Sequence, residues 1–216
     1  MTGRFLTGLC LITLAAGAWA SPSGLNNIPT ADVAPFGKLV LQQYTNIGGG
    51  EPPAFYVGAK WGGLPRVEVG IDDRLAGGGA PTASPVGQIK FQVLRNDKRL
   101  SLAVGAANLG DNKRNGSPAL YLALKRSLVP RVRGHLGFMN QGSQDSFFVG
   151  LDGKLVRGWD WRLDAIQTNH MHDVLFGVGA IGPLGQNMLL ETWASLPTQA
   201  GADESCMLKF NCVIGK

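Results

Sequence analysis

The sequence predicts an all-β chain: an antiparallel, up-and-down transmembrane β-barrel of about twelve strands, carried behind a secretory leader. Three observations predict it. Alternation of apolar and polar residues with period two recurs in segment after segment, which marks strands with two unlike faces. The alternating segments are mostly eight to eleven residues long with their ends, the length a tilted strand needs to cross hydrocarbon. The leader is the only long apolar run, and it is too short for a spanning helix, which needs roughly 20 residues.

Residues 1–20 read as a signal peptide. Arg4 supplies the basic start, Phe5 to Ala16 the apolar stretch, and Ala18-Trp19-Ala20 the small residues before cleavage. Cys10 does not make this a lipoprotein leader, because Leu9 stands where a small residue belongs. Cleavage after Ala20 leaves a mature chain from Ser21. Residues 21–36 form a polar, turn-rich lead-in in which Pro29 and Pro35 block a helix. Two placements stay open for it: a periplasmic arm or a segment tucked into the lumen. The barrel domain occupies residues 37–216.

Strands are readable at Lys38–Asn46, Ala54–Trp61, Arg66–Asp72, Gln88–Val93, Arg99–Ala106 and Ala119–Ser127. Six more follow at Arg131–Phe138, Phe147–Val156, Trp159–Ala165, Val174–Ile181, Met188–Leu196 and Cys206–Ile214. The plainest alternation is Trp159-Asp160-Trp161-Arg162-Leu163-Asp164-Ala165, with every charge on one face. Turn residues separate the strands: Gly62-Gly63-Leu64-Pro65, Asn96-Asp97, Asn115 to Pro118, Pro130, Gln141-Gly142-Ser143, Gly158, and Gly182 to Gly185. The long connections are Gly77–Val86 and Gly110–Pro118. Trp61, Phe138, Phe147 and Trp159 stand near strand ends, where interfacial girdles form.

Composition agrees. Glycine occurs 31 times and charged residues make up 16%, so the chain is glycine-rich and charge-poor for a soluble domain. Glycine is costly in helices and useful where backbones bend or approach closely. The excess of basic residues is scattered singly, which excludes a nucleic-acid stripe. Cys206 and Cys212 on one extended strand would lie roughly 20 Å apart, beyond the reach of a disulfide.

The polar strand faces give candidate lumen-lining residues: Arg66, Glu68, Lys90, Arg131, Arg133, His135, Asp160, Arg162 and Asp164. Lys60, Asp72, Arg99, Asp152, Lys154 and Glu191 belong to the same set. Charges in a narrow interior must pair or stay hydrated, so the set serves either a polar path or a self-satisfied, plugged interior. His170-Met171-His172 lacks the third and fourth ligands a zinc site requires. Ser143 and Ser146 lie in a loop with no visible base, and His135 points inward. The sequence therefore predicts no catalytic residue, no metal, no cofactor and a non-enzymatic role.

The stretch Ser23 to Pro35, reading SGLNNIPTADVAP and followed by Phe36-Gly37, resembles the opening of YjbH-like outer-membrane β-barrel proteins. Val67-Glu68-Val69-Gly70, Ile89-Lys90-Phe91, Leu102 to Gly110, Leu124-Lys125 and His135-Leu136-Gly137-Phe138 are similar to that family in order. Asp164 stands where the family pattern has Ala-Glu. The resemblance implies a barrel in the outer membrane of a Gram-negative bacterium, tied to the making or export of surface polysaccharide. Its implied partners are outer-membrane lipid, polysaccharide and export-machinery proteins. Two other functions use the same alternation: a passive pore for small solutes, and a soluble periplasmic lipocalin-like or β-sandwich binder with its apolar faces turned inward.

Overall fold

The computed structural model describes residues 23–48, 51–76, 85–96, 99–168 and 173–215. Twelve strands form: β1 Leu39–Gly48, β2 Glu51–Leu64, β3 Val67–Ala76, β4 Val86–Leu94, β5 Ser101–Leu109 and β6 Ala119–Val129. The others are β7 Val132–Gln141, β8 Gln144–Lys154, β9 Asp160–Thr168, β10 Asp173–Gly185, β11 Met188–Pro197 and β12 Ser205–Ile214. Each strand pairs antiparallel with its sequence neighbours, and β1 pairs with β12 to close the barrel. Closure leaves no sheet edge, so every strand's backbone is satisfied without water. A single helical turn, α1 (Asn112–Asn115), sits between β5 and β6, capped by the Asp111 side chain.

The faces of the strands decide the medium. Ile71, Phe91, Leu122, Leu136, Val149 and Val178 all point outward and are exposed. Glu68, Asp72, Lys90, Asp152 and Lys209 point inward and are buried. An apolar exterior around a polar interior is a membrane barrel, the inverse of a soluble sandwich. The soluble binder is thereby excluded. Phe138 and Phe147 pack together on this outer surface, ring centroids 5.2 Å apart, and Trp61 is exposed at the far end of β2. Cys206 and Cys212 are free thiols. Both point outward from β12, because their neighbours Met207 and Asn211 line the interior.

The two rims differ. One holds both ends of the barrel and the connections 65–66, 95–100, 130–131, 155–159 and 186–187. The other holds the strand ends joined through 49–50, 77–85, 110–118, 142–143, 169–172 and 198–204, the two longest connections among them. We refer to them as the short-turn and long-loop rims.

Candidate functional site

The interior of the barrel collects the polar side chains, and its most prominent feature is the chain's own N-terminal segment. Residues 23–35 lie inside the lumen as a small hairpin. Leu25 N–H donates to the Ile28 carbonyl at 3.0 Å and Thr30 N–H to that of Ser23 at 3.2 Å, so Leu25 to Ile28 form the tip. Of the two placements left open by the sequence, the structure takes the lumen.

Four inward charges hold this hairpin. Glu68 on β3 accepts from Ser23 N–H at 3.0 Å, from the Ser23 hydroxyl, and from Ala34 N–H at 2.7 Å. Lys90 on β4 donates to the carbonyls of Ser23 and Asp32. Lys125 on β6 pairs with the Asp32 carboxylate. Asp164 on β9 accepts from the Asn26 and Asn27 amides at 2.7 and 3.0 Å and from the Asn27 side chain at 3.1 Å. A carboxylate bound by several N–H groups is the arrangement that makes a buried charge tolerable. Gln92 reaches the Ala31 carbonyl at 2.6 Å, and the Ser195 hydroxyl reaches Asn27 at 2.8 Å.

The tip adds an apolar anchor. Leu25 and Ile28 bury themselves among Ala107, Ala119, Tyr121, Ala123, Phe148 and Ile166, an unusual oily patch inside a polar lumen. Glycine makes the room. A Cβ at Gly150 would lie 2.6 Å from Leu25 Cδ1, and one at Gly177 would lie 2.9 Å from Asn26 Cβ.

The remaining lumen runs along β1, β2, β11 and β12 and passes over the hairpin to Asn108, Tyr121, Gln141 and Ile166. It is a cavity of about 820 Å³. It touches Val40, Gln42, Tyr44, Asn46 and Gly48, the alternate residues of β1 from near one end to the other. On β12 it touches Ser205, Met207, Lys209, Asn211 and Val213, again along the strand's length. Its middle is a cluster of rings and charges. Tyr44 and Tyr56 stack with centroids 4.6 Å apart. Lys209 Nζ lies 5.4 Å from the Tyr44 ring centre and 5.9 Å from that of Trp193. Glu191 pairs with Arg162, stands 3.9 Å from Lys209 and accepts from Asn211 at 3.4 Å. Asn211 in turn accepts from Gln42 at 2.6 Å. Lys60 also lines the cavity and is 3% exposed.

A third group stands toward the short-turn rim. Asp152 accepts from Arg133 Nε at 3.0 Å and from its second guanidinium nitrogen, and lies 2.8 Å from His135 Nε2. Asp160 joins Lys154 at 2.8 Å and Arg133 at 3.7 Å.

Of the residues expected in the lumen, Glu68, Lys90, Arg133, His135, Asp160, Arg162 and Asp164 lie there and divide among these groups. Arg66 and Arg131 do not. They are exposed in the two-residue turns after Pro65 and Pro130, with φ of 66° and 70°. Proline at the first corner fixes the turn and puts the next residue in the left-handed region, so the alternation ends one residue sooner than the sequence reads. Arg99 likewise precedes β5 and is exposed, and Ser146 belongs to β8 rather than to a loop. His170 and His172 lie outside the described residues. Sequence reading overlooked Lys125, Lys209 and the inward rings of Tyr44, Tyr56, Tyr121 and Trp193. The aromatic residues stand on polar faces, where a rule counting them as apolar turns them outward.

The fold and this interior define a class, the closed twelve-stranded antiparallel β-barrel of transmembrane type. No protein-family model matches the sequence, and no curated protein sequence does. Solved structures do match. The KdgM porin superposes with a TM-score of 0.61 at 8% identity, over 80% of this chain and 98% of that one. The same porin solved in complex with disordered oligogalacturonate gives 0.62 at 7% identity, with the same coverage. The NanC porin gives 0.57 at 6% identity, over 81% and 98%. The likeness is one of fold.

Proposed function

We propose that this chain is an outer-membrane channel for an elongated polar solute of saccharide type, narrowed along its length by its own N-terminal hairpin. The observation that carries the proposal is the cavity beside the hairpin, which follows β1 and β12 along their lengths. Flat ring faces at Tyr44, Tyr56 and Trp193 suit the C–H faces of sugar rings. Lys60, Lys209 and Arg162 beside them suit hydroxyls and carboxylates, as basic side chains do in anion-conducting pores. The structure of KdgM with oligogalacturonate is that of a barrel of this fold with an acidic saccharide, which supports the same solute class here. The resemblance of residues 23–37 to YjbH-like proteins supports a link to surface polysaccharide. The short-turn rim then faces the periplasm.

Planar-bilayer recording of the mature chain tests this. Steady single-channel steps that an acidic oligosaccharide blocks reversibly are the expected result. Steps indifferent to every saccharide would make it a general small-solute pore. Absence of current would make the hairpin a complete plug and overturn the channel.

A further inference from the structure

The outer surface holds a second feature that neither the channel nor the hairpin uses. A groove of about 630 Å³ crosses β6 to β10 on the lipid face. Its walls are Leu124, Leu128, Leu136, Leu151, Leu163 and Phe176. At Gly134, the cross-strand neighbour of Arg126 and Leu151, the missing side chain leaves the seat that Leu128 occupies, with Leu128 Cδ1 2.9 Å from where a Cβ would stand. Arg126 lines the same groove and is exposed. Among the described outward-facing strand residues it is the only basic one, and it makes no hydrogen bond or ion pair with the described residues.

Its position makes chemical sense of its charge. Arg126 stands three residues before the end of β6, about 10 Å along the strand from the short-turn rim. Arginine is costly at the middle of a bilayer and nearly free at headgroup level. Arg99 and Arg131, both exposed, lie in neighbouring connections of that rim. A guanidinium over an apolar groove matches a phosphate attached to an acyl chain, because its planar fork binds phosphate oxygens in pairs.

We propose that Arg126 and the groove beside Gly134 form a binding site for one anionic phospholipid of the periplasmic leaflet. The phosphate sits on Arg126 and an acyl chain runs away from the rim between Leu124, Leu136 and Leu163. The proposal rests on the barrel lying in a membrane and not on its conducting a solute, so a barrel that passes no current can still hold the lipid.

Native mass spectrometry of the mature barrel, released from detergent with phosphatidylglycerol or phosphatidylethanolamine, tests it. Heat-dependent gel migration first establishes that each variant is a folded barrel, which separates failure of the site from failure of the membrane reading. The wild type is expected to retain one phosphatidylglycerol in preference to phosphatidylethanolamine. Arg126→Gln should weaken that preference about tenfold, the effect of one charge-assisted hydrogen bond, while Arg131→Gln leaves it nearly intact. Arg126→Lys keeps the charge and should recover part of it. Equal retention of the two lipids by the wild type, or equal losses in the Arg126 and Arg131 variants, would overturn the site in favour of diffuse attraction to a basic rim.

Discussion

Four inward charges of this barrel, Glu68, Lys90, Lys125 and Asp164, reach a peptide; those along β1, β2, β11 and β12 reach one another and a cavity. Lys90 and Lys209 make the contrast concrete. Both are lysines buried on the inner face, 1% and 5% exposed. Lys90 donates to two carbonyls of the N-terminal hairpin. Lys209 lies between two aromatic rings and 3.9 Å from Glu191, beside open space. Whether a lumen charge fills or lines a pore is decided by what stands across from it, and a list of inward residues does not contain that information.

The contrast can be broken outright. Deleting residues 23–34 removes every partner of Glu68 and Lys90 that belongs to the hairpin, and it merges the two halves of the lumen. Single-channel conductance should rise several-fold, with wild-type values returning only if the segment contributes nothing to the constriction. Gly177→Val acts on the same seat sterically, because the new Cβ enters the space of Asn26. It should expel the tip and replace steady current with large, flickering steps.

Asp164→Ala is gentler. It leaves three N–H donors of Asn26 and Asn27 without their carboxylate, a loss of about 3 kcal/mol by the cost of unsatisfied buried groups. The expected outcome is a lower urea midpoint in micelles together with noisier current; an unchanged midpoint would mean that water replaces the carboxylate at no cost. On the open side, Lys209→Gln should leave stability and gating alone and shift ion selectivity toward cations, read from reversal potentials in a salt gradient. The smallest effect belongs to neither half. Arg66→Gly removes a left-handed arginine at the rim and should change stability by at most about 1 kcal/mol, with no effect on current.

Much of the wall was legible, because a closed barrel writes its two media directly into period-two alternation. Each of the twelve expected strands has its counterpart, and Asp160 to Ala165 alternates in the structure as it does in the sequence, with Trp159 left in the turn before β9. The limits have physical causes. Pro65 and Pro130 end the pattern at Arg66 and Arg131, since a turn corner has no inner or outer face. Tyr44, Tyr56 and Trp193 are apolar by composition and yet face water and charge, because a ring with a polar edge fits either medium. The lodging of Leu25 to Ile28 inside the barrel was not readable from alternation at all. It depends on Glu68, Lys90 and Asp164, from three different strands, meeting one short segment. The glycines at 150 and 177 were visible as composition, and only the folded chain shows that they clear space for the tip.

The hairpin continues through Pro35 and Phe36 directly into β1, the strand that seals against β12. It is thus a ligand that never leaves its receptor. A tether of about ten residues holds its effective concentration on the order of millimolar, so a tip that slips from its seat is recaptured before a free peptide would arrive. Any solute or partner that keeps this lumen open has to outcompete a blocker that dilution cannot remove.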